Sequence, residues 1–244
     1  MARMKSLYRV KKAIIYLKHF GWKEFWIRII ERFQFRAVEY GKWYQCHKVS
    51  PEALRLQRET SFAYRPLMSI VVPVYNTEKR FLEEMIESVL AQNYARWELC
   101  IANANPANTG VQEVLSEYTA KDKRIRIVDV PENKGIAQNS NAGIAITTGE
   151  YIGFLDHDDL LAPDALYEVV RRLNETQSID LLYTDEDEIR EDGSEHFQPH
   201  FKPEFNLDLL RTNNYICHFC VIRRSLIETV GGLRAEFNGA QDYD

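Results

Sequence analysis

Three carboxylates stand close together in the middle of the chain, directly after a short apolar run. The run is Tyr151–Leu155, and the carboxylates are Asp156, Asp158 and Asp159, with His157 between the first two. Such a run is typical of a strand buried on both faces of a sheet. Carboxylates at the carboxyl end of that strand lie where open α/β sheets place their ligands, and their oxygens suit Mg²⁺ or Mn²⁺ bound with substrate phosphates. An acidic turn that only caps the next helix is the alternative.

Length and charge limit the class of protein. The chain has 244 residues, enough for one large domain with an appendage or for two small domains. Its net charge of −5 is unevenly spread: residues 1–58 carry fourteen Lys and Arg against four Asp and Glu, and residues 59–244 carry seventeen against thirty-two. A basic arm on an acidic body indicates an anionic surface as partner of the arm and argues against nucleic acid as partner of the body.

Cysteine usage and hydropathy predict a cytoplasmic location. Four cysteines, Cys46, Cys100, Cys217 and Cys220, are too few and too scattered for a secreted disulfide framework. Charges interrupt every apolar run near the start, so no signal peptide is visible. No stretch approaches the roughly eighteen apolar residues of a membrane span.

Residues 1–58 are predicted to form a basic amphipathic helical segment. From Leu7 to about Phe33, apolar residues recur at helical spacing, with Lys and Arg between them and with Trp22 and Trp26 among the apolar positions. Such a segment can lie in the headgroup layer of an anionic membrane, here the inner face of the cell membrane. A helical hairpin packed on the body or on another subunit is the alternative. A linker is predicted over residues 59–66.

From residue 67 onward, short apolar runs alternate with amphipathic stretches. The predicted strands are 67–74, 97–102, 125–130, 151–155 and 179–184, and the predicted helices between them are 78–91, 111–121, 138–147 and 163–176. This alternation predicts an α/β fold with a mostly parallel sheet flanked by helices. After residue 184 we expect a turn at Asp192-Gly193, an irregular stretch around Pro199 and Pro203, and a strand over Tyr215–Ile222. The final residues, GAQDYD, resemble no closing element, so the domain is expected to be incomplete at its carboxyl terminus.

Polar groups follow the first three predicted strands. They are Tyr75 and Asn76, then Asn103, then Lys134 and Gly135. An Asn-rich turn can hydrogen-bond the edge of a base, Gly135 allows close backbone approach, and Lys134 can meet a phosphate. Each is ordinary turn chemistry when it stands alone. Several such loops meeting the carboxylates at one sheet edge are a more specific pattern.

Four stretches, VVPVYN, ENKGIAQNSNAGI, TTGEYIGFLDHDD and GAQDYD, resemble in order and spacing the signature segments of family 2 glycosyltransferases of GT-A fold. The match runs from Pro66 to the end of the chain, and the basic helical preface resembles that of bacterial members that build surface polysaccharides. The resemblance implies a metal-assisted, inverting transfer of a sugar from a nucleoside-diphosphate donor, a UDP- or dTDP-sugar, to a hydroxyl of a glycan or lipid-linked acceptor.

The resemblance also implies roles for single residues. The nucleotide-sugar is expected to contact Pro73, Tyr75, Asn76, Asn103, Lys134, Gly135, Asn141, Asp156 and His157. The divalent metal is expected on Asp156 and Asp158, and Asp242 matches the catalytic base. Three positions depart from the family pattern: Asn103 and Gln241 stand where Asp and Glu are usual, and Ser140 stands where an Arg is frequent.

Other candidate groups lie downstream of the fifth predicted strand. Asp185 and Glu186 are expected on the acceptor side of the cleft together with His218; a solvated acidic loop and a structural histidine are the alternatives. The stretch from Cys217 through His218 to Cys220, with His196 and His200 upstream, imitates a zinc site, but an extended run would point both thiols away from a common ion. No zinc site is therefore expected there.

Two other function classes remain open at the level of sequence. A nucleotidyltransferase shares the topology and the paired aspartates, but it needs a basic, Gly-rich loop after the first strand, where this chain has VPVYNTEK. A non-catalytic nucleotide-sugar-binding or membrane-associated assembly subunit fits the departures at Asn103, Ser140 and Gln241.

Overall fold

The computed structural model of the protein describes residues 21–23, 25–27 and 40–244. Residues 21–23 and 25–27 are helical, and the rest of the helical stretch predicted from Leu7 to Phe33 lies outside the described residues. The chain divides into two compact units. Of the described residues, the smaller unit comprises those between 21 and 48 together with Glu188–Gln198, and the larger one comprises Val49–Asp187 and Pro199–Asp244.

The bounds of the regular elements place most strands and helices within a few residues of their predicted positions. In chain order they are α1 Tyr40–His47, α2 Pro51–Glu59, β1 Met68–Val74, α3 Lys79–Leu90, β2 Trp97–Asn103, α4 Thr109–Lys121, β3 Ile125–Asp129, α5 Ile136–Ala145, β4 Tyr151–Phe154, α6 Ala165–Glu175, β5 Leu181–Tyr183, β6 Glu186–Ile189, β7 His196–His200, α7 Leu207–Leu210, β8 Cys220–Arg223, α8 Arg224–Val230 and a 3-10 turn Ala235–Phe237.

In the smaller unit, aromatic rings order the helix α1. The ring of Trp43 stacks on that of His47 with centroids 4.2 Å apart, and the ring of Tyr44 stacks on that of His196 at 3.7 Å. Trp43 nevertheless keeps 42% of its surface exposed. This unit therefore presents an aromatic surface to solvent.

The main sheet has the strand order β3-β2-β1-β4-β8-β5. The strands β1 to β4 are parallel, so Val74 lies beside Asn103 and Asn103 lies beside Asp129 at one edge of the sheet. The strand β8 runs antiparallel between β4 and β5. A mostly parallel sheet flanked by helices confirms the predicted fold class.

Helical periodicity explains how the helices cover this sheet. The helix α3 buries Leu82, Met85, Ile86 and Val89, which share one face at a spacing of three and four residues. The helix α6 buries Leu166, Val169, Val170 and Leu173 at the same spacing. All seven residues of β1 are buried, as expected for a strand covered on both faces.

A buried carboxylate fixes the turn that leads into β4. Glu98 accepts hydrogen bonds from Ser69 Oγ at 2.7 Å, Thr148 Oγ1 at 3.0 Å, Gly149 N at 3.1 Å and Arg126 Nη1 at 3.0 Å. Burial raises the pKa of Glu98, but these donors outweigh it and hold the pKa below its ordinary value. Since β4 ends at the acidic loop, Glu98 sets the position from which that loop starts.

The region after residue 184 differs from prediction in two places. The strands β6 and β7 pair in a separate two-stranded sheet where an irregular stretch was expected. The predicted strand Tyr215–Ile222 is wrong in its first half, because only Cys220–Arg223 pairs with the main sheet. Cys217 has a φ of +41°, which turns the backbone out of the extended conformation before the strand begins.

Candidate active site

The first two predicted loops meet at the carboxyl edge of the sheet. Asn105 Nδ2 donates to Asn76 Oδ1 at 2.7 Å, which ties the loop after β2 to the loop after β1. Asn76 has a φ of +54°, a conformation that asparagine tolerates better than most residues. Tyr75 beside it is 47% exposed, so its ring is free to meet a ligand. The loops after β1 and β2 therefore form one polar surface.

Asn103 is only 1% exposed, and both ends of its amide are engaged. Its Oδ1 accepts from Asn105 N at 3.2 Å, and its Nδ2 donates to Asp129 Oδ1 at 3.1 Å. Asp129, the last residue of β3, also accepts from Gln112 Nε2 at 3.3 Å. Asp129 was not predicted from the sequence, although the parallel register of β2 and β3, which pairs it with Asn103, is the signal that identifies it. An exposed carboxylate thus stands beside the buried amide of Asn103.

Gly135 is the N-terminal cap residue of α5, with a φ of +92°. A Cβ there would lie 2.5 Å from Asn238 Nδ2, so the side chain of Asn238 occupies the space that the glycine leaves. Asn238 Oδ1 accepts from Ala137 N at 3.0 Å and caps the helix from a distance of a hundred residues in sequence. Lys134, the preceding residue, is exposed.

Asn141 makes a second connection between α5 and the carboxyl-terminal segment. Its Nδ2 donates to Leu233 O at 2.7 Å and its Oδ1 accepts from Leu233 N at 2.9 Å. A Cβ on Gly232 would lie 2.7 Å from Asn141 Oδ1, so a glycine is needed there for this close approach. Asn141 and Asn238 together hold the segment that carries Asp242.

The acidic loop after β4 forms a cluster with a residue far along the chain. Ligand atoms of Asp156, Asp159 and His218 all lie within 4.8 Å of one another, and His218 Nε2 is 3.6 Å from Asp156 Oδ2. Burial raises the pKa of Asp159, and the charges of Asp156 and Asp158 raise it further, whereas His218 lowers it. The cluster therefore holds negative charge that a bound cation would stabilise.

Asp158 was the predicted partner of Asp156 on the metal, whereas the ligand atoms that converge with Asp156 in the structure are those of Asp159 and His218. Asp158 keeps 57% of its side chain exposed, and its Oδ1 lies 3.5 Å from His157 Nδ1. Asp158 belongs to neither of the two convergent ligand groups found among the described residues. The sequence could not rank the two aspartates, because they are adjacent in the chain and both follow the end of the same strand.

A buried lysine positions His218. The side chain of Lys202 is 1% exposed, and its Nζ donates to the carbonyl oxygens of Ile216, at 2.7 Å, and of His218. The same Nζ lies 3.2 Å from Glu186 Oε2, which accepts from His218 N at 3.1 Å. The backbone of the segment Ile216–His218 is thus held from both sides. Nothing in the sequence around Lys202 singles it out.

Asp185 and Glu186 serve this arrangement through their contacts. Asp185 Oδ1 accepts from Lys202 N at 2.7 Å, and Glu186 Oε1 lies 2.9 Å from His200 Nδ1. Burial raises the pKa of Glu186, but His200 and Lys202 lower it below its ordinary value. Both predicted acceptor-side carboxylates are therefore already bonded to groups of this chain.

Asp242 also lies close to His218. Its Oδ2 accepts from Asn214 Nδ2 at 2.8 Å and from Cys217 Sγ at 3.3 Å. Burial and the contact with Asp242 raise the pKa of the Cys217 thiol to about 11, so the thiol stays protonated and donates. Asn214 was not predicted from the sequence, because it is 28 residues from the carboxylate to which it donates.

One cavity joins these groups. It has a volume of about 680 Å³, its wall is mainly apolar, and it includes Pro73, Asp156, His218 and Asp242. Pro73 belongs to β1 and Asp156 follows β4, so the cavity opens at the carboxyl edge of the sheet. An apolar pocket with a few convergent polar groups is the usual form of a ligand site.

The chain belongs to glycosyltransferase family 2. The family model, Glycosyl transferase family 2, matches residues 69–231. O-antigen biosynthesis protein RfbC of Myxococcus xanthus is 34% identical over 207 residues, which make up 85% of this chain and 16% of that protein. The first curated relatives are matched over only 16 to 20% of their length.

Solved structures show the same GT-A fold at 20% identity. The mannosyltransferase PcManGT of Pyrobaculum calidifontis, in complex with GDP-Man and Mn²⁺, aligns with a TM-score of 0.56 over 78% of this chain and 55% of its own. TarS of S. aureus, residues 1–349 in complex with UDP-GlcNAc, aligns with a TM-score of 0.55 over 68% and 48%. No helix in the described ranges has both the length and the hydropathy to cross a membrane.

Lys202→Met is expected to lower the free energy of unfolding by about 3–5 kcal/mol, because it removes the buried cation that pairs with Glu186 and leaves two carbonyl oxygens without their donor. Denaturant unfolding followed by circular dichroism measures the change. Lys123→Met, at an exposed position, is the matched control and should unfold like the wild type. Equal stability of the two variants would contradict the positioning role of Lys202.

Proposed function

We propose that the chain binds a nucleoside-diphosphate sugar at the carboxyl edge of its sheet and transfers the sugar, with inversion, to an acceptor hydroxyl in the synthesis of a polysaccharide or other cell-surface glycan. The observation that carries the proposal is that His218 belongs to two ligand groups, one with Asp156 and Asp159 and one with Asp242, and that Asp156, His218 and Asp242 line one cavity. Family membership and the O-antigen biosynthesis relative support the reaction class.

The donor set of Asp156, Asp159 and His218 fits a divalent metal. Two carboxylates and one imidazole are ligands that Mn²⁺ accepts, and their atoms already lie within 4.8 Å of one another. The fold neighbour that carries GDP-Man together with Mn²⁺ supports this assignment. When bound, the ion stabilises the charge that develops on the departing diphosphate. Asp158 remains the alternative second ligand that the sequence indicated.

The nucleoside is proposed to lie against the loops after β1 and β2. Tyr75 offers an exposed ring for stacking, and Asp129 offers a carboxylate that can accept from an N–H of the base. Asn103 holds Asp129 in place through its Nδ2. UDP and dTDP are the donors that the sequence indicated, and the neighbours carry GDP-Man and UDP-GlcNAc. These neighbours support a nucleotide-sugar and leave the base open between pyrimidine and guanine.

Asp242 is proposed to take the proton of the acceptor hydroxyl. Asn214 and Cys217 both donate to Oδ2, and within the described residues no hydrogen bond to Oδ1 is found. The oxygen Oδ1 can therefore face the acceptor while Oδ2 fixes the carboxylate. A single base acting opposite to the leaving group gives inversion at the anomeric carbon.

Asp242→Asn is expected to lower kcat by about 10²–10⁴, because an amide cannot accept the proton, and to leave donor affinity within about twofold. Product formation from UDP-, dTDP- and GDP-sugars measures turnover, and calorimetric titration with the matching nucleoside diphosphate in Mn²⁺ measures binding. Asp208→Asn, whose side chain is 94% exposed, is the control and should resemble the wild type.

Different outcomes separate the competing functions. Unchanged turnover in Asp242→Asn would remove Asp242 from the role of base. Wild-type protein that binds a nucleoside diphosphate tightly but transfers no sugar would favour the non-catalytic assembly subunit. A folded protein that binds none of the nucleotides would contradict the donor site itself.

We further infer that the basic segment over residues 1–58 binds an anionic membrane surface. The support is its excess of Lys and Arg and the exposure of Trp22 and Trp26, at 64% and 54%. The chain is expected to cosediment with vesicles that contain phosphatidylglycerol, and to be released by high salt, because surface charge attraction is screened. Equal binding to neutral phosphatidylcholine vesicles would contradict an electrostatic contact.

A further inference from the structure

Three side chains of different ligand type converge beside Asp242. The Sγ of Cys217, a ring nitrogen of His218 and a carboxylate oxygen of Asp242 all lie within 4.8 Å of one another. In an extended strand, neighbouring side chains point to opposite faces. The φ of +41° at Cys217 removes that alternation and brings the thiol and the imidazole to the same side.

This ligand set differs in chemistry from the cluster at Asp156 and Asp159. A thiolate, an imidazole and a carboxylate are the ligands of zinc sites that keep one position open, whereas a set with two carboxylates and no sulfur suits harder ions. The Cys217 Sγ already lies 3.3 Å from Asp242 Oδ2, close to the separation of two ligands on one ion. Cys217 therefore makes this group selective for a thiophilic metal.

The surroundings provide room for a fourth ligand. All three residues line the cavity of about 680 Å³, so a water molecule can reach the open position. Gln241 lines the same cavity, and its Oε1 is buried without a hydrogen-bond partner among the described residues. That oxygen can accept a hydrogen bond from a metal-bound water.

We propose that Cys217, His218 and Asp242 form a binding site for Zn²⁺ or another thiophilic divalent ion, and that its occupancy inhibits sugar transfer. Binding forms metal–sulfur, metal–nitrogen and metal–oxygen bonds, releases the thiol proton to solvent and involves no oxidation. Inhibition rests on the proposed function, because the ion occupies the carboxylate proposed as the base. The ion would also bind His218, which is a member of the cluster with Asp156 and Asp159 as well.

Co²⁺ titration of the purified chain tests the site directly, since Co²⁺ takes zinc positions and a coordinated thiolate gives an intense near-ultraviolet charge-transfer band. The wild type is expected to show this band and to lose it when Zn²⁺ is added. Cys217→Ala should lack the band and bind Zn²⁺ at least tenfold more weakly. Cys220→Ala is the matched control, because Cys220 lines the same cavity but lies outside the ligand group; it should keep the band.

Sugar transfer at fixed Mn²⁺ and rising Zn²⁺ tests inhibition. Normalised to its own activity, Cys217→Ala should need at least tenfold more Zn²⁺ than the wild type for half inhibition. A band that survives in Cys217→Ala, a band absent from the wild type, or equal Zn²⁺ sensitivity would overturn the proposal. A wild type that shows the band but never transfers sugar would instead count against the proposed function, because the titration does not depend on turnover.

Discussion

The buried ammonium group of Lys202 is the interaction on which the candidate site depends. Its Nζ holds the carbonyl oxygens of Ile216 and His218 and pairs with Glu186, which in turn accepts from His218 N. Burying a charge costs free energy unless the charge is fully paired. The ammonium group of Lys202 is therefore compatible with few other conformations of the backbone at Ile216 and His218. The consequence is that His218 lies close both to the aspartates after β4 and to Asp242, so that one residue belongs to both ligand groups.

The carboxyl-terminal segment reaches the same place by a second set of contacts. Asn141 binds both backbone groups of Leu233, and Asn238 caps α5, so the helix after β3 fixes the segment that carries Asp242. Glu98 fixes the start of β4 in a similar way, because it accepts a hydrogen bond from Gly149 N in the turn before that strand. The acidic loop and Asp242 thus come from distant parts of the chain, and side-chain hydrogen bonds to the backbone fix each of them near His218.

Local pattern predicted the parallel half of the fold, because strands buried on both faces give continuous apolar runs. The same pattern gave a wrong prediction over the first half of Tyr215–Ile222, because the apolar residue types there do not distinguish an extended backbone from one that turns at Cys217. For the site, the loops after β1, β2 and β4 were found because each follows a strand end. Asp129, Asn214 and Lys202 were missed, and Asp159 was not ranked above Asp158, because their roles arise from contacts between distant parts of the chain.

The most direct test of this account is electron paramagnetic resonance of Mn²⁺ mixed with the protein and a nucleoside diphosphate, UDP or GDP. We expect a bound ion with nitrogen coupling from an imidazole, loss of that coupling in His218→Ala, and a return of the free-ion signal that is larger in Asp159→Ala than in Asp158→Ala. Nitrogen coupling that persists in His218→Ala, or binding that only Asp158→Ala abolishes, would contradict the assignment of Asp156, Asp159 and His218 as the metal site.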